Sequence, residues 1–306
     1  MSEDCLAWQS VTTQPCALGE SPFWHPQEQR LYWVDIAGRQ ILRTQAGATS
    51  VDTWDMPEEP GCIAPAAGGG LVIAMRHGVF RTPGWQGPLQ RIAQLDYDPT
   101  HMRANDGKCD AVGRFWIGTL DETKLAHNAA LYSLDCRHGR TPLIERKADQ
   151  ATTANGLAWS PDGRTLYWAD TARHVVYAWD FDVQTNTLGA QRIFQQFEPK
   201  PADGLAPYRG RPDGAAVDVQ GNYYVAMYEG RRVCKFSPGG TLLAEFSTPV
   251  RCPTMPCFGG ADLQTLYITS ARHKRSASEL LTYPLSGCVF SMRMEVAGLP
   301  VNFFVD

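Results

Sequence analysis

Four side chains with oxygen donors stand at one repeated place in this sequence of 306 residues. Asn155 lies eight residues before Gly163, Asp213 eight before Gly221, and Asn105 eight before Gly113. Glu20 joins them by a second marker, since it precedes Tyr32 by twelve residues as Asn155 precedes Tyr167. Carboxylates and amide oxygens gathered at one centre suit a hard divalent cation such as Ca²⁺, Mg²⁺ or Mn²⁺; zinc also takes oxygen ligands but is less favoured by this set. The expected cofactor is therefore one divalent metal cation, from among Ca, Zn, Mn, Mg and Fe. Asn155-Gly156 and Asp213-Gly214 are also hairpin dipeptides. The register shared by the repeats selects the ligand role for Glu20, Asn155 and Asp213. Asn105 keeps two readings, a site residue or a strand-start cap that bonds backbone groups.

Arg103 precedes Asn105 by two residues and Arg211 precedes Asp213 by two. Either guanidinium could hold substrate oxygens bidentately, and either could close a rim salt bridge. Asp170 and Glu122 each read as a site residue or as a surface or ladder-capping group. The seven histidines share no register. Nucleophilic catalysis lacks its usual carriers, for there is no G-x-S-x-G elbow, no cysteine that can be argued to lie beside a histidine, and no Gly-rich phosphate loop. Metal-assisted chemistry remains.

Residues so far apart in sequence need elements that bring them together. The stretch Ala154 to Asp180 reads as three short strands joined by two turns, the first being Pro161-Asp162-Gly163. Its aromatic strand recurs as Leu31 to Ile36, Leu71 to Met75, Phe115 to Leu120, Leu166 to Asp170, Tyr223 to Tyr228 and Leu266 to Ser270, at spacings of about 40 to 57 residues. Each copy is followed by a turn and another strand. That period, with scarcely any amphipathic helical stretch, predicts an all-β fold, a six-bladed β-propeller of mostly four-stranded antiparallel blades around a central channel, forming one domain over residues 1–306. A β-sandwich also has regular hairpins but does not need one motif six times. Innermost strands line a propeller's channel, so the four repeated positions converge there. Gly61-Cys62-Ile63 and Pro256-Cys257-Phe258 fall at the corresponding place in the other two repeats and would wall the site. Both termini, Cys5 to Thr12 and Pro300 to Asp306, read as strands, one of them completing the blade built from the other end. The longer linkers read as rim loops or outer strands, with the Pro-rich Glu198 to Pro212 the most mobile.

A net charge of -4 and a pI near 6.0 argue against a nucleic-acid surface. No stretch approaches the ~20 apolar residues that span a bilayer. The acidic start lacks the pattern of a secretory signal. Nine cysteines at irregular spacing, with no C-x-x-C pair, read as reduced and mostly buried thiols of a cytoplasmic protein. The expected partner is a small molecule, with neither nucleic acid nor membrane, and the chain is expected to be a monomer or weak homodimer.

Six motifs carry a resemblance: L-G-E-S-P-F-W from Leu18, R-A-N-D-G-K-C-D from Arg103, G-R-F-W-I-G-T-L from Gly113, N-G-L-A-W-S-P-D-G from Asn155, R-P-D-G-A-A-V-D from Arg211, and C-F-G-G-A-D-L-Q-T-L-Y-I-T-S-A-R from Cys257. With them the chain resembles the senescence marker protein, gluconolactonase and regucalcin family over nearly its whole length. The resemblance implies a six-bladed propeller holding one divalent metal through Glu20, Asn155 and Asp213, with Arg103 and Asn105 on the substrate. It implies a further acidic substrate contact, for which Asp121 and Glu122 are both candidates. Met102-Arg103-Ala104 stands where many relatives place a bulkier residue before the Asn, which points to an altered substrate preference. The activity implied is hydrolysis of a sugar lactone to the aldonic acid, the metal polarising the carbonyl and Asp213 serving as general base. The alternative is a regucalcin-like divalent-metal binding protein without significant catalysis; Arg103 and Asn105 beside the ligands favour an enzyme. A propeller hydrolase of organophosphates or hydrophobic lactones would want a ring of aromatics, and the channel set is polar.

Overall fold

The second strand of each repeat is an unbroken apolar run, such as Leu166 to Ala169, because both of its faces are covered. Aromatic and β-branched residues fill such twice-buried pleats well. The computed structural model describes residues 8–48, 50–124, 126–137, 139, 141–202 and 207–306. It contains six four-stranded antiparallel sheets, arranged in a ring as a six-bladed β-propeller. Blade 1 comprises β2 (Gly19–His25), β3 (Arg30–Asp35), β4 (Gln40–Gln45) and β5 (Asp52–Asp55); blade 2 comprises β6 (Pro60–Pro65), β7 (Leu71–Met75), β8 (Gly78–Thr82) and β9 (Gln90–Ala93). Blade 3 is β10 (Met102–Cys109), β11 (Phe115–Asp121), β12 (Ala129–Asp135) and β13 (Leu143–Ala151), and blade 4 is β14 (Ala154–Trp159), β15 (Thr165–Asp170), β16 (Val175–Asp182) and β17 (Thr187–Gln196). Blade 5 is β18 (Arg211–Val217), β19 (Tyr223–Tyr228), β20 (Arg232–Phe236) and β21 (Leu242–Ser247).

Blade 6 closes the ring. It joins β22 (Pro253–Gly259), β23 (Thr265–Ser270) and β24 (Phe290–Arg293) to β1 (Gln9–Ser10), which lies antiparallel to β24 with Gln9 opposite Ser291. The N-terminal strand is thus the one that completes the last blade; the part of Cys5 to Thr12 before residue 8 lies outside the described residues. The C-terminal expectation is corrected. Pro300 to Asp306 forms no strand and makes a single bridge, Phe304 to Ala66. The backbone from Leu299 onward instead ties to several blades, Leu299 N–H to Val217 O at 3.0 Å, Phe304 N–H to Pro65 O at 2.8 Å and Val305 N–H to Gly113 O at 3.0 Å. The segment therefore crosses one end of the channel. The linker from Arg272 to Leu285 holds one helical turn, α1 (Ala277–Thr282), capped by Ser276. Residues 203–206 of the Pro-rich linker lie outside the described residues, and β18 begins at its last two positions.

Burial falls from the channel outward: β18 and β19 are buried nearly throughout, whereas β21 alternates between exposed and half-buried residues. The apolar clusters are wedges between neighbouring blades. Phe23, Tyr32, Val34 and Ile41 of blade 1, for example, pack with Ile63, Ile73 and Met75 of blade 2.

Every innermost strand carries one extra residue relative to its partner, a β-bulge lying between Glu20 and Phe23, Pro60 and Cys62, Ala104 and Gly107, Asn155 and Ala158, Pro212 and Ala215, and Pro253 and Pro256. Asn155-Gly156 belongs to this bulge and is no hairpin turn. Gly156 has φ +63°, and a Cβ there would meet the Tyr223 hydroxyl at 2.6 Å, so the position demands glycine on both counts. Pro161-Asp162-Gly163 is the turn its sequence suggests, with Gly163 N–H bonded to Ser160 O at 2.9 Å.

Candidate metal and substrate site

The bulges locate the candidate residues. Phe23 opposes Tyr32 and Ala158 opposes Tyr167, and Glu20 and Asn155 lie three residues before Phe23 and Ala158. The same count from Lys108 opposite Trp116 and Ala216 opposite Tyr224 reaches Asn105 and Asp213. All four occupy one position of the inner strand, near the start of that strand and hence at one end of the channel. In blade 2 the position is Gly61, within the expected trio. In blade 6 it is Thr254, three residues before Cys257, and not Pro256-Cys257-Phe258. The turn of blade 6, between Phe258 and Leu266, is one residue longer than that of blade 4, between Trp159 and Leu166, so an offset taken from blade 4 does not reach Thr254.

A hydrogen-bonded chain runs around half the mouth. Arg103 Nη1 donates to Asn105 Oδ1 at 2.8 Å, Asn105 Nδ2 donates to Asn155 Oδ1 at 2.8 Å, and Asn155 Nδ2 donates to Thr171 Oγ1 at 2.7 Å. Thr171 Oγ1 then donates to the carbonyl of Pro212 at 2.7 Å, next to Asp213. Asn105 also donates to Ala154 O at 2.9 Å, so it bonds both the Asn155 side chain and the backbone at the start of β14 in the adjoining blade. Thr171 was missed by sequence reasoning; its signal was its place directly after the aromatic strand that ends in Asp170.

The Glu20 and Asp213 carboxylates are buried with few donors, a backbone N–H from Ser21 for the first and from Gly214 for the second. Glu20 is 8% exposed and Asp213 6%, and among the described residues Glu20 Oε2 accepts only a long 3.3 Å bond from Ser21 N–H. Burial, then the charges of Asp213 and Asp106, push the Glu20 carboxyl well above its ordinary range. Burial likewise raises Asp213, which Arg211 and Arg103 oppose and Asp106 reinforces. Asp106 is a second residue that sequence reasoning passed over, although it follows Asn105 directly. Its Oδ2 accepts from Leu157 N–H at 2.9 Å, its Oδ1 has no partner among the described residues, and burial raises its pKa as well. Buried negative charge such as that of Glu20 and Asp213, with few protein donors, calls for a cation. Among the described residues no three His, Cys, Asp or Glu side chains are placed as a metal-holding group, so two carboxylates need the amide oxygen of Asn155 to complete a set.

The remaining candidates separate. Arg211 Nη1 pairs with Glu229 Oε2 at 2.7 Å, its guanidinium 4.9 Å from the Tyr228 ring centre. Glu122 is largely exposed and pairs with Arg76 at 2.9 Å, with Arg103 Nε only 3.9 Å away. Asp121 is buried, accepts from Thr123 N–H at 3.0 Å and Oγ1 at 2.6 Å, and leaves Oδ2 without a partner among the described residues. Asp170 is a ladder cap, accepting from the N–H groups of Thr152, Thr153 and Ala172 at 3.2 Å each. The channel's other end is apolar. There a cavity of about 120 Å³ lies among Phe23, Trp24, Trp159, Phe258 and the crossing segment Leu299–Asn302. Lys108 faces it, and its Nζ donates to Ala215 O. The eight described cysteines are free.

Comparison with known proteins yields consistent relatives. The family model described as the SMP-30/Gluconolactonase/LRE-like region matches residues 18–272. A 6-deoxy-6-sulfogluconolactonase of Pseudomonas putida is 41% identical over 294 residues, covering 96% of this chain and 97% of that one. A regucalcin of Danio rerio is 34% identical, covering 95% and 96% of the two chains. Among solved structures, a calcium-binding protein, regucalcin, of Agrobacterium tumefaciens superposes with a TM-score of 0.89 at 24% identity, covering 98% of this chain and 97% of that one, a likeness of fold.

Proposed function

Because the chain belongs to the SMP-30/gluconolactonase/LRE-like family, we propose that it hydrolyses a sugar lactone to the aldonic acid at the polar end of its channel. The observation that carries this reading is the run of hydrogen bonds from Arg103 through Asn105 and Asn155 toward Asp213, beside two buried carboxylates that repel each other. Glu20, Asn155 and Asp213 would hold one divalent cation, whose hard-oxygen preference fits their donors. The chemistry such an ion supplies is Lewis acidity toward the ester carbonyl.

The side chains supply the rest. Asp213 is the general base that takes the proton of the attacking water, a role open to a carboxylate within hydrogen-bond reach. Asn105 holds the Arg103 guanidinium in place, so its remaining N–H groups are presented to sugar hydroxyls without a search over rotamers. Asp121, whose Oδ2 has no partner among the described residues, is the better of the two acidic candidates for a substrate hydroxyl; Glu122 is engaged by Arg76. The low dielectric around these groups strengthens each contact.

The test is a pH-indicator assay on chelator-treated protein, crossing a panel of aldonolactones with Ca²⁺, Mg²⁺, Mn²⁺, Zn²⁺ and Fe²⁺. Turnover of a sugar lactone that returns with at least one ion is expected. The second reading, a metal-binding protein without significant catalysis, is favoured by the likeness to proteins named regucalcin. Tight cation binding with no turnover of any lactone would select it. Among the described residues no helix is long and apolar enough to cross a membrane.

A further inference from the structure

The end of the channel opposite Glu20, Asn155 and Asp213 takes no part in the reaction proposed above. Its cavity of about 120 Å³ is lined by all six innermost strands, through Phe23 of β2, Ile63 of β6, Lys108 of β10, Trp159 of β14, Val217 of β18 and Phe258 of β22. It therefore lies on the channel axis. None of Glu20, Arg103, Asn105, Asn155 and Asp213 lines it, so it is a space of its own. About 10–15 Å³ suffices to hold one water; this cavity takes a small organic molecule.

Lys108 is the one charged side chain among the described residues that line it. An ammonium has three donors. Among the described residues the Lys108 Nζ finds one acceptor, the carbonyl of Ala215, and no carboxylate within 4 Å. Asp106, two residues earlier on β10, does not close a pair with it, since Asp106 Oδ2 is taken by Leu157 N–H and Oδ1 has no partner among the described residues. Cys257 also lines the cavity, but burial pushes its thiol up to about 12, so it carries no charge to offer. Loss of surrounding water lowers the pKa of the Lys108 ammonium, and the charges of Asp106, Cys257 and Glu20 oppose that only in part. A cation enclosed in this way gains most from an anion that brings its own acceptors.

The cover over this end is thin. The chain crosses it from Leu299 to Asn302, fastened by Leu299 N–H to Val217 O at 3.0 Å and by Asn302 Nδ2 to Cys109 O at 3.1 Å. Pro300, between these ties, lines the cavity and is itself exposed, so a single layer of chain parts the cavity from solvent.

We propose that this cavity is a second small-molecule site, for a monocarboxylate with a compact hydrocarbon body, its carboxylate on the Lys108 ammonium and its body among Phe23, Trp24, Trp159 and Phe258. One cation selects one anionic group, and the apolar walls reject a polyol, whose hydroxyls would go unpaired there. The two ends of the channel thus sort their ligands by polarity. Binding here does not depend on lactone hydrolysis at the other end.

The experiment is isothermal titration calorimetry of the cation-loaded protein with sodium hexanoate, and in parallel with acetate, hexanol and hexylamine, at neutral pH and one ionic strength. One hexanoate per chain is expected, bound about tenfold or more tighter than each of the other three, the usual worth of a hydrogen bond to a charged group. Lys108→Met, similar in length and without charge, should weaken hexanoate by about tenfold or more and leave hexanol within about twofold. Val301→Trp, placed on the crossing segment rather than in a blade, fills the cavity and should abolish binding of both; it carries the test if Lys108→Met fails to fold. Hexanoate bound no tighter than hexanol, acetate bound as tightly as hexanoate, or affinities that the variants leave unchanged would overturn the site.

Discussion

Blades 4 and 6 have the same bulge at the same place and opposite chemistry. In blade 4 the position holds Asn155, bonded across to Asn105 and Thr171. In blade 6 it holds Thr254, fully buried, whose hydroxyl is taken up by Gly19 O and, at 2.8 Å, by Thr269 Oγ1. Blade 2 offers Gly61 and no side chain at all. The backbone of this propeller is repeated six times, but one residue per repeat decides whether a blade contributes chemistry, seals a seam or makes room.

That contrast breaks most sharply at Asp213. Asp213→Asn keeps size and hydrogen-bonding capacity but removes the base, so kcat on a sugar lactone should fall by about 10³, within the usual range for a general base. Thermal stability should hold or rise, since the variant relieves repulsion among Asp213, Glu20 and Asp106. A variant that kept more than a tenth of kcat at saturating cation would remove Asp213 from the base role.

Withdrawal of the cation comes next. A cation at a hundredfold excess over its dissociation constant stabilises by about 2.7 kcal/mol, which for a chain of this size corresponds to roughly 5 °C in Tm. Chelation should lower Tm by that order and abolish turnover. Glu20→Gln should shrink the chelation shift to less than half, because it deletes a ligand charge and also the repulsion the cation relieves. An undiminished shift in Glu20→Gln would place the cation elsewhere.

The architecture was legible because it is repeated: six aromatic strands between turn residues imply six blades, and a shared offset marks one position in four of them. Asn105, Asn155 and Asp213 could be aligned from turn glycines, and Glu20 from Tyr32, since the inner strand keeps a constant length from bulge to turn. Thr254 escaped because the chain between the paired Phe258 and Leu266 is one residue longer than that between Trp159 and Leu166, which shifts the offset from the aromatic strand. Asp106 and Thr171 escaped for another reason. Their roles depend on contacts to the next blade, Asp106 to Leu157 and Thr171 to Pro212, and pairing between blades is invisible to a pattern read along one repeat. The C-terminal segment looked like a strand because its Val-Asn-Phe-Phe-Val run has strand propensity, yet the outer position of blade 6 is already occupied by β1.

Gly61 sharpens the contrast from the silent side. A Cβ at this position would stand 2.3 Å from Ala104 O, the backbone between Arg103 and Asn105. Gly61→Ala must push β10 aside, at about 1–3 kcal/mol for overpacking a rigid seam. Because β10 carries two site residues, kcat/KM should drop some tenfold along with stability. Lost stability with intact kcat/KM would mean that β10 yields without disturbing Arg103.

The smallest effect is expected at Thr254. Thr254→Val keeps the shape and deletes a hydroxyl that joins blade 6 to the carbonyl of Gly19, the residue before Glu20. Gly19 O is left without that buried donor, a loss of about 1–3 kcal/mol, read as a lower midpoint in chemical denaturation. Turnover should stay within twofold, because Thr254 is buried among its neighbours' backbone and offers nothing to a ligand. A fall in kcat beyond fivefold, with cation affinity unchanged, would show that the seam between blades 6 and 1 sets the position of Glu20, and that the silent blades hold the site in place as well as leaving room for it.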